Sequence, residues 1–290
     1  MPFGSSKAAI LGAAGADSGP EFSGGTETSS GGFTYMTYTS SGTVTCDVGG
    51  EVDLIIVGGG GAVNTNSGYP HNNGGGGGGG VVAGATVTID AGTYSLTIGA
   101  GGNTPGANSG GNSYIILTGN EVDFSIAGGG GGYGGQGGWG NCSNGSNGQT
   151  QATGGWSQYI SAYGGGGGAG VWFNGYCAGN GGSGGATSTT GTPTAGGTWT
   201  SLTAQAGANG VSTVNSGSGG GSADNTQTAP GSQAGGVGYL WVDGNRYGGG
   251  GNGGNFASIA PGSVYGNGAQ TQAWSPPTYA AQNGVFIVRY

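Results

Sequence analysis

EVDLIIVGGGG, residues 51–61, is the stretch on which the fold turns. Val52, Leu54, Ile55, Ile56 and Val57 make an apolar run of strand length, rich in β-branched side chains and ended by glycine. Leu54 to Val57 are apolar at both odd and even positions, so a strand built from them needs cover on both faces. That predicts a central, buried strand. The chain then passes directly into four glycines.

Working outward, strand-like segments bounded by turn residues recur on either side. FTYMTYTSSGTVTCDV (33–48) is predicted to be a hairpin bending at SSG. VVAGATVTIDAGTYSLTIGAGG (81–102) is predicted to be a second. In it Val87 and Ile89 alternate with Thr88 and Asp90, the chain turns at AGT, and Tyr94, Leu96 and Ile98 alternate again. NSYIILTGNEVDFSIAGGGG (112–131) reads as a third, turning at Gly119 and Asn120. VGYLWVDGNRYGGGG (237–251) carries an Asp-Gly turn signal. NGVFIVRY (283–290) reads as a last strand, with Phe286 and Val288 expected to pair with residues 52–57. No region shows helical periodicity. The expected class is therefore mainly β, with antiparallel, sandwich-like hairpins and no significant α-helix.

Glycine supplies 82 of the 290 residues. Such a composition, without a three-residue period, ordinarily argues for low complexity. Against that, only 5% of the residues are charged, whereas disordered chains are usually charge-rich. Ordering glycine costs much backbone entropy, and 33% hydrophobic residues make a modest core. Dense backbone hydrogen bonding, oligomerisation or both must contribute. Glycine runs can be flexible linkers, tight turns or polyglycine-II helices, which are threefold extended chains that bond laterally. Lateral packing is expected for the runs at 58–61, 74–80, 128–132, 164–168 and 248–251. It satisfies backbone donors and acceptors without a large apolar core. The fold expected is a sandwich combined with packed polyglycine-II helices and long loops.

Two regions differ. Residues 1–31 lack strand alternation and carry a small apolar patch followed by a Ser/Gly/Glu linker. The first 16 residues loosely mimic a signal peptide, but the apolar part is short. They are expected to form an uncleaved anchor or docking peptide, with Phe3, Ile10 and Leu11 as docking candidates. Residues 32–290 then form one glycine-rich domain with a loop-rich insertion at about 133–236.

Several function classes find no support. The net charge of −8, with Lys7, Arg246 and Arg289 the only Lys or Arg residues, suits neither nucleic acid nor anionic membrane surfaces. No stretch approaches the ~18 apolar residues of a membrane span. The single histidine, His71, lies in a loop-like GYPHNN with no sign of a catalytic partner nearby. There is no G-K-[ST] motif, no CxxC or Cys/His metal spacing and no regularly spaced Asp among the glycines. No enzyme activity and no cofactor are expected. Cys46, in TVTCDV, reads as a small buried hydrophobe. Cys142 and Cys177 sit in Gly/Asn-rich loops and are candidates for a disulfide, with free thiols the alternative.

The positive signal is aromatic. Tyr133, Trp139, Trp156, Tyr159, Trp172, Phe173, Tyr176 and Trp199 stand among Gly, Asn and Ser. Rigid aromatics with adaptable polar neighbours are binding-loop chemistry. Their rings stack on sugars or fill protein grooves. The alternative is that they wedge between glycine helices as a minor core.

TYTSSGTVT, VDLIIVGGGG, the long glycine run, VVAGATVTIDAGTYSLTIGAGG and the closing GVFIVRY together resemble a glycine-rich domain of bacteriophage tail-fibre and related virion proteins. The resemblance covers about 33–132 and 235–290. The glycine-rich middle is similar, in architecture only, to the polyglycine-II tip adhesins of T-even-type phages, whose distal loops carry receptor specificity. The resemblance implies a virion-associated, extracellular fibre or tip adhesin, or an architectural decoration of tail or capsid. It also implies a homo-oligomer, with a trimer favoured, attached to other virion proteins through residues 1–20. The aromatic loops would then meet a bacterial surface receptor, protein or glycan. No coiled-coil or β-helical shaft is legible, so a compact tip or short appendage is expected. A cellular glycine-rich extracellular protein is the remaining alternative.

Overall fold

The structure is a computed structural model. It describes residues 19–62, 76–102, 236–251, 265–268 and 280–290 in full, and elsewhere only the backbone of short strands. Among the described residues there are strands and no helix.

The strands in chain order are β1 (Glu21–Ser23), β2 (Thr26–Ser30), β3 (Phe33–Tyr38), β4 (Gly42–Val48), β5 (Gly50–Val57), β6 (Val81–Ile89), β7 (Gly92–Thr97), β8 (Ser113–Leu117) and β9 (Phe124–Gly128). Six more follow: β10 (Gly137–Gly138), β11 (Asn141–Cys142), β12 (Gln158–Ala162), β13 (Ser188–Thr190), β14 (Gly197–Thr198) and β15 (Leu202–Gln205). The last are β16 (Tyr239–Leu240), β17 (Arg246–Tyr247), β18 (Gln270–Gln272), β19 (Ser275–Tyr279) and β20 (Val285–Arg289).

Two large sheets result. The first runs β1-β4-β7-β8-β9-β12-β13 and the second β14-β6-β5-β20-β3-β2, with β15 also bonded to β6. Pairing is antiparallel except between β12 and β9. The sheets face each other across one core. Val44, Cys46, Tyr94 and Leu96 come from the first, and Met36, Tyr38, Leu54, Ile56, Val82, Phe286 and Val288 from the second. The Tyr38 hydroxyl crosses the gap and donates to the Ser23 carbonyl at 2.9 Å. Cys46 is buried among these side chains, as expected.

β5 is the central strand that its sequence implies. β6 lies on one side, and β20 on the other sets Phe286 against Ile56 and Val288 against Leu54. Leu54 and Ile56 face the inter-sheet core. Ile55 and Val57 face a second apolar cluster on the outer side, with Val81, Ala83, Val285, Ile287, Trp241 and Tyr247. The β16–β17 hairpin, closed at Gly244 with φ +82°, provides that outer cover. The β8–β9 hairpin also forms as expected.

Two expected hairpins are corrected. β3 and β4 do not pair with each other; β3 pairs with β2 and β20, while β4 pairs with β1 and β7. The link between them crosses from one sheet to the other. The same holds for β6 and β7, which pair with β5 and β4 respectively. The physical reason is that alternation shows which side chains are buried, not which strand lies alongside. Met36 and Tyr38 enter the same core as Val44 and Cys46, but from opposite sheets. A third correction concerns residues 21–30. Expected to be linker, they form β1 and β2, an edge strand of the first sheet and an edge strand of the second. Thr26 and Thr28 carry strand propensity, and a strand exposed on both faces, as β2 is throughout, shows no apolar alternation.

Candidate functional site

Where strands leave the sandwich they continue as glycine segments that bond to one another. β5 runs on into 58–61, β7 into 99–102 and β17 into 248–251. Segments 76–80 and 282–284 lead into β6 and β20, and 265–268 lies among them. The bonds do not follow a sheet pattern. Segment 58–61 donates from Gly58 to the Gly80 carbonyl (2.9 Å) and from Gly60 to the Gln282 carbonyl (2.9 Å), and accepts from Gly102 at Gly60 (2.9 Å). It therefore has three neighbours, whereas a β-strand bonds to two. Segment 265–268 likewise has three. Gly79 donates to Gly266 (2.7 Å), Gly268 to Gly249 (3.0 Å) and Gly266 to Asn283 (2.9 Å). Bonds leaving one chain in three directions make a layer of packed rods rather than a ribbon.

The spacing admits no side chains. A Cβ on Gly60 would stand 1.8 Å from the Asn267 carbonyl oxygen, and one on Gly268 would stand 1.9 Å from that of Gly76. Asn267 is the one buried polar side chain among the described residues. Its Oδ1 accepts from Gly249 N at 3.0 Å and its Nδ2 donates to Gln282 Oε1 at 3.2 Å, so it completes bonding that backbone alone leaves open. Of the runs expected to pack laterally, 58–61, 248–251 and the described part of 74–80 bond to one another in this way. Of 128–132 only Gly128 is described, at the end of β9, and 164–168 lies outside the described residues. Segments 99–102, 265–268 and 282–284 were not anticipated. Their signal, short GAGG, YGNG and QNG stretches in which Ala or Asn interrupts the glycines, is far weaker than a run.

Below this layer, the β16–β17 hairpin lies over the outer face of the second sheet. Its Asp243 carboxylate accepts from the Tyr247 hydroxyl (2.7 Å), Asn245 N (2.9 Å) and Asn245 Nδ2 (3.0 Å). Trp241 meets Tyr35 and Tyr247 edge-on at ring-centroid separations of 6.3 and 6.2 Å. Burial, with the Asp243 contact second, pushes the Tyr247 phenol well above its ordinary pKa, so it stays a donor at any physiological pH. Between hairpin and sheet edge lies a cleft of about 270 Å³, walled by Asp243, Asn245, Tyr247 and Tyr265 on one side and by Thr28, Ser30, Tyr35 and Thr37 on the other. Nothing in the sequence marked it, because Thr28 and Ser30 read as linker and Asp243 as a turn residue.

Of the aromatic candidates, Tyr159 falls in β12, opposite Ser125 of β9 and Thr190 of β13. Tyr133, Trp139, Trp156, Trp172, Phe173, Tyr176 and Trp199 lie outside the described residues, as do Cys177 and the docking candidates Phe3, Ile10 and Leu11. Cys142 falls in β11, opposite Gly137. The insertion is tied into the body. β12 and β13 extend the first sheet, and β14 and β15 both bond to β6 of the second.

A family model described as a glycine-rich domain matches residues 37–290. The chain belongs to that family. The match spans the sandwich from the last two residues of β3 to β20 and every glycine segment of the layer. No curated protein shows detectable similarity to it.

Proposed function

We propose that this protein is a bacteriophage virion component, a fibre or tip adhesin that presents aromatic loops to a receptor on the bacterial surface. The observation that carries the reading is the anchoring of the insertion. Residues 133–236 are strapped to both sheets by β12 to β15, so the segments between those strands start and end on a hydrogen-bonded scaffold. A scaffold that fixes loop ends lowers the entropic cost of binding through the loops. The glycine layer adds stiffness, and its three-directional bonding supports the polyglycine-II conformation for the packed segments. In this reading residues 1–20 attach the protein to other virion proteins, and copies assemble as a homo-oligomer, a trimer being favoured. The protein acts by binding and carries out no catalysis.

The test is infection. Purified protein is expected to bind host cells and to block phage adsorption. Replacing Trp139, Trp156 and Trp172 together by Ala is expected to abolish both while leaving the circular dichroism spectrum unchanged. Undiminished binding by that variant sinks the loop assignment. Protein that enters particles but never binds cells makes it an architectural subunit instead. Removing residues 1–20 should abolish incorporation into particles without unfolding the domain, and unchanged incorporation refutes the docking role.

A further inference from the structure

We infer that the cleft between β2–β3 and the β16–β17 hairpin is a binding subsite for one neutral pyranose ring, separate from the loops of the insertion. Three observations meet there. First, strand register builds a hydroxyl-bearing wall. Thr28 stands opposite Tyr35, and Thr37 stands opposite Ile287 of β20. Thr28, Ser30, Tyr35 and Thr37 therefore share the outer face of a two-stranded edge ribbon, and β2 is exposed along its whole length. Second, the facing wall is held in place before any ligand arrives. Asp243 already accepts three hydrogen bonds from within its own hairpin. A carboxylate has about four acceptor positions, so Asp243, which lines the cleft, keeps one to offer. Third, the partly exposed rings of Tyr35 and Tyr265, one from each wall, line the same space.

This combination selects the ligand class. A pyranose has one face of C–H groups, which packs on aromatic rings, and a rim of hydroxyls that both donate and accept. Rigid aromatics supply contact area at low entropic cost, and a fixed carboxylate, an amide and several hydroxyls supply the partners. Among the described residues no Lys or Arg lines the cleft, and the chain as a whole carries −8. An anionic sugar or phosphate would find no counter-charge there. The volume of about 270 Å³ falls below the ~300–1,000 Å³ of sites for drug-sized ligands. It suits a single ring, terminal or within a chain, rather than an enclosed oligosaccharide.

Saturation-transfer NMR on the 290-residue chain tests this, with methyl α-glucoside, methyl β-galactoside and methyl N-acetyl-β-glucosaminide as probes. Transfer to at least one of them is expected, with dissociation constants of about 1–10 mM, the range expected for so small a ligand. Thr28→Trp fills the cleft from an exposed strand and is expected to abolish transfer. Asp243→Asn keeps the side chain's shape and is expected to weaken binding about fivefold or more. Where methyl α-glucoside is the probe bound, competition by dextran, a polymer of α-linked glucose, distinguishes a ring read within a chain from one read only at an end. Absence of transfer to all three probes, or transfer undiminished in folded Thr28→Trp protein, overturns the proposal. Cell attachment measured in parallel keeps the two readings apart. If sugar transfer fails while cells still bind, the cleft assignment is wrong and the loop assignment stands.

Discussion

Asp53 shows how much a single residue can hold in a chain with few charges. It sits in β5 opposite a bulge, where the register slips between Val52 and Leu54 and two residues of β6 face one of β5. One carboxylate oxygen accepts from Thr86 N at 2.9 Å, and Thr86 has a positive φ of 55°, unusual for a β-branched side chain. The other oxygen pairs with Arg289 of the last strand, whose guanidinium also lies 4.2 Å from the centre of the Phe33 ring. Tyrosines carry the pH dependence at this scale. Burial pushes the Tyr94 phenol up to about 12, helped by the charges of Cys46 and Asp90, and raises Tyr38 and Tyr247 as well. Burial likewise pushes the Cys46 thiol up to about 11. For an acid whose folded-state pKa is raised, the unfolded chain loses its proton first as pH rises. These groups therefore stabilise the fold fully below their unfolded values, and that stabilisation fades as pH climbs toward the folded ones. Stability is expected to be level from pH 7 to about 8 and to fall progressively above about pH 9. Urea melts across that range check it, and a midpoint rising above pH 10 contradicts it.

Among the elements, β20 bears the most structure per residue. It bonds to β5 and β3 together, and Val285, Phe286, Ile287 and Val288 feed both apolar clusters. Phe286 also stacks on Tyr38 at a 5.6 Å centroid separation. Phe286→Ala is expected to cost about 3–5 kcal/mol, read as a shift in the denaturation midpoint, and deletion of 283–290 is expected to leave no cooperative transition. A shortened chain that still melts cooperatively refutes the central role of the strand. β20 and β5 were legible in the sequence because a run apolar at both parities fits only a doubly covered strand. The Asp243-Gly244 turn was legible because few residues tolerate its geometry. The sheet assignment of β3, β4, β6 and β7 was not legible, since residues facing each other across a sandwich share the periodicity of a hairpin. β2 was invisible for a simpler reason: an edge strand exposed on both faces has no apolar alternation. The cleft that β2 lines was therefore hidden too, while the aromatic loops drew attention by composition alone.

At the scale of the whole molecule, two kinds of packing share the work. Apolar side chains hold the sheets together, and backbone-to-backbone hydrogen bonds hold the glycine segments that continue from them. In the second kind the missing side chain is the structural requirement, because segments approach until carbonyl oxygens occupy the space a Cβ would need. Glycine content that would suggest a floppy chain becomes, on this account, the means of fixing one. Paired denaturation melts of Gly60→Ala and Gly42→Ala test that most directly. A Cβ on Gly60 meets the Asn267 carbonyl oxygen at 1.8 Å, whereas one on Gly42 meets nothing within 4 Å. Gly60→Ala is expected to cost roughly 3 kcal/mol or more, lowering the melting midpoint by about 6–12 °C in a chain of this size. Gly42→Ala is expected to stay within about 0.5 kcal/mol of the parent. Equal melts for the two variants would contradict the account.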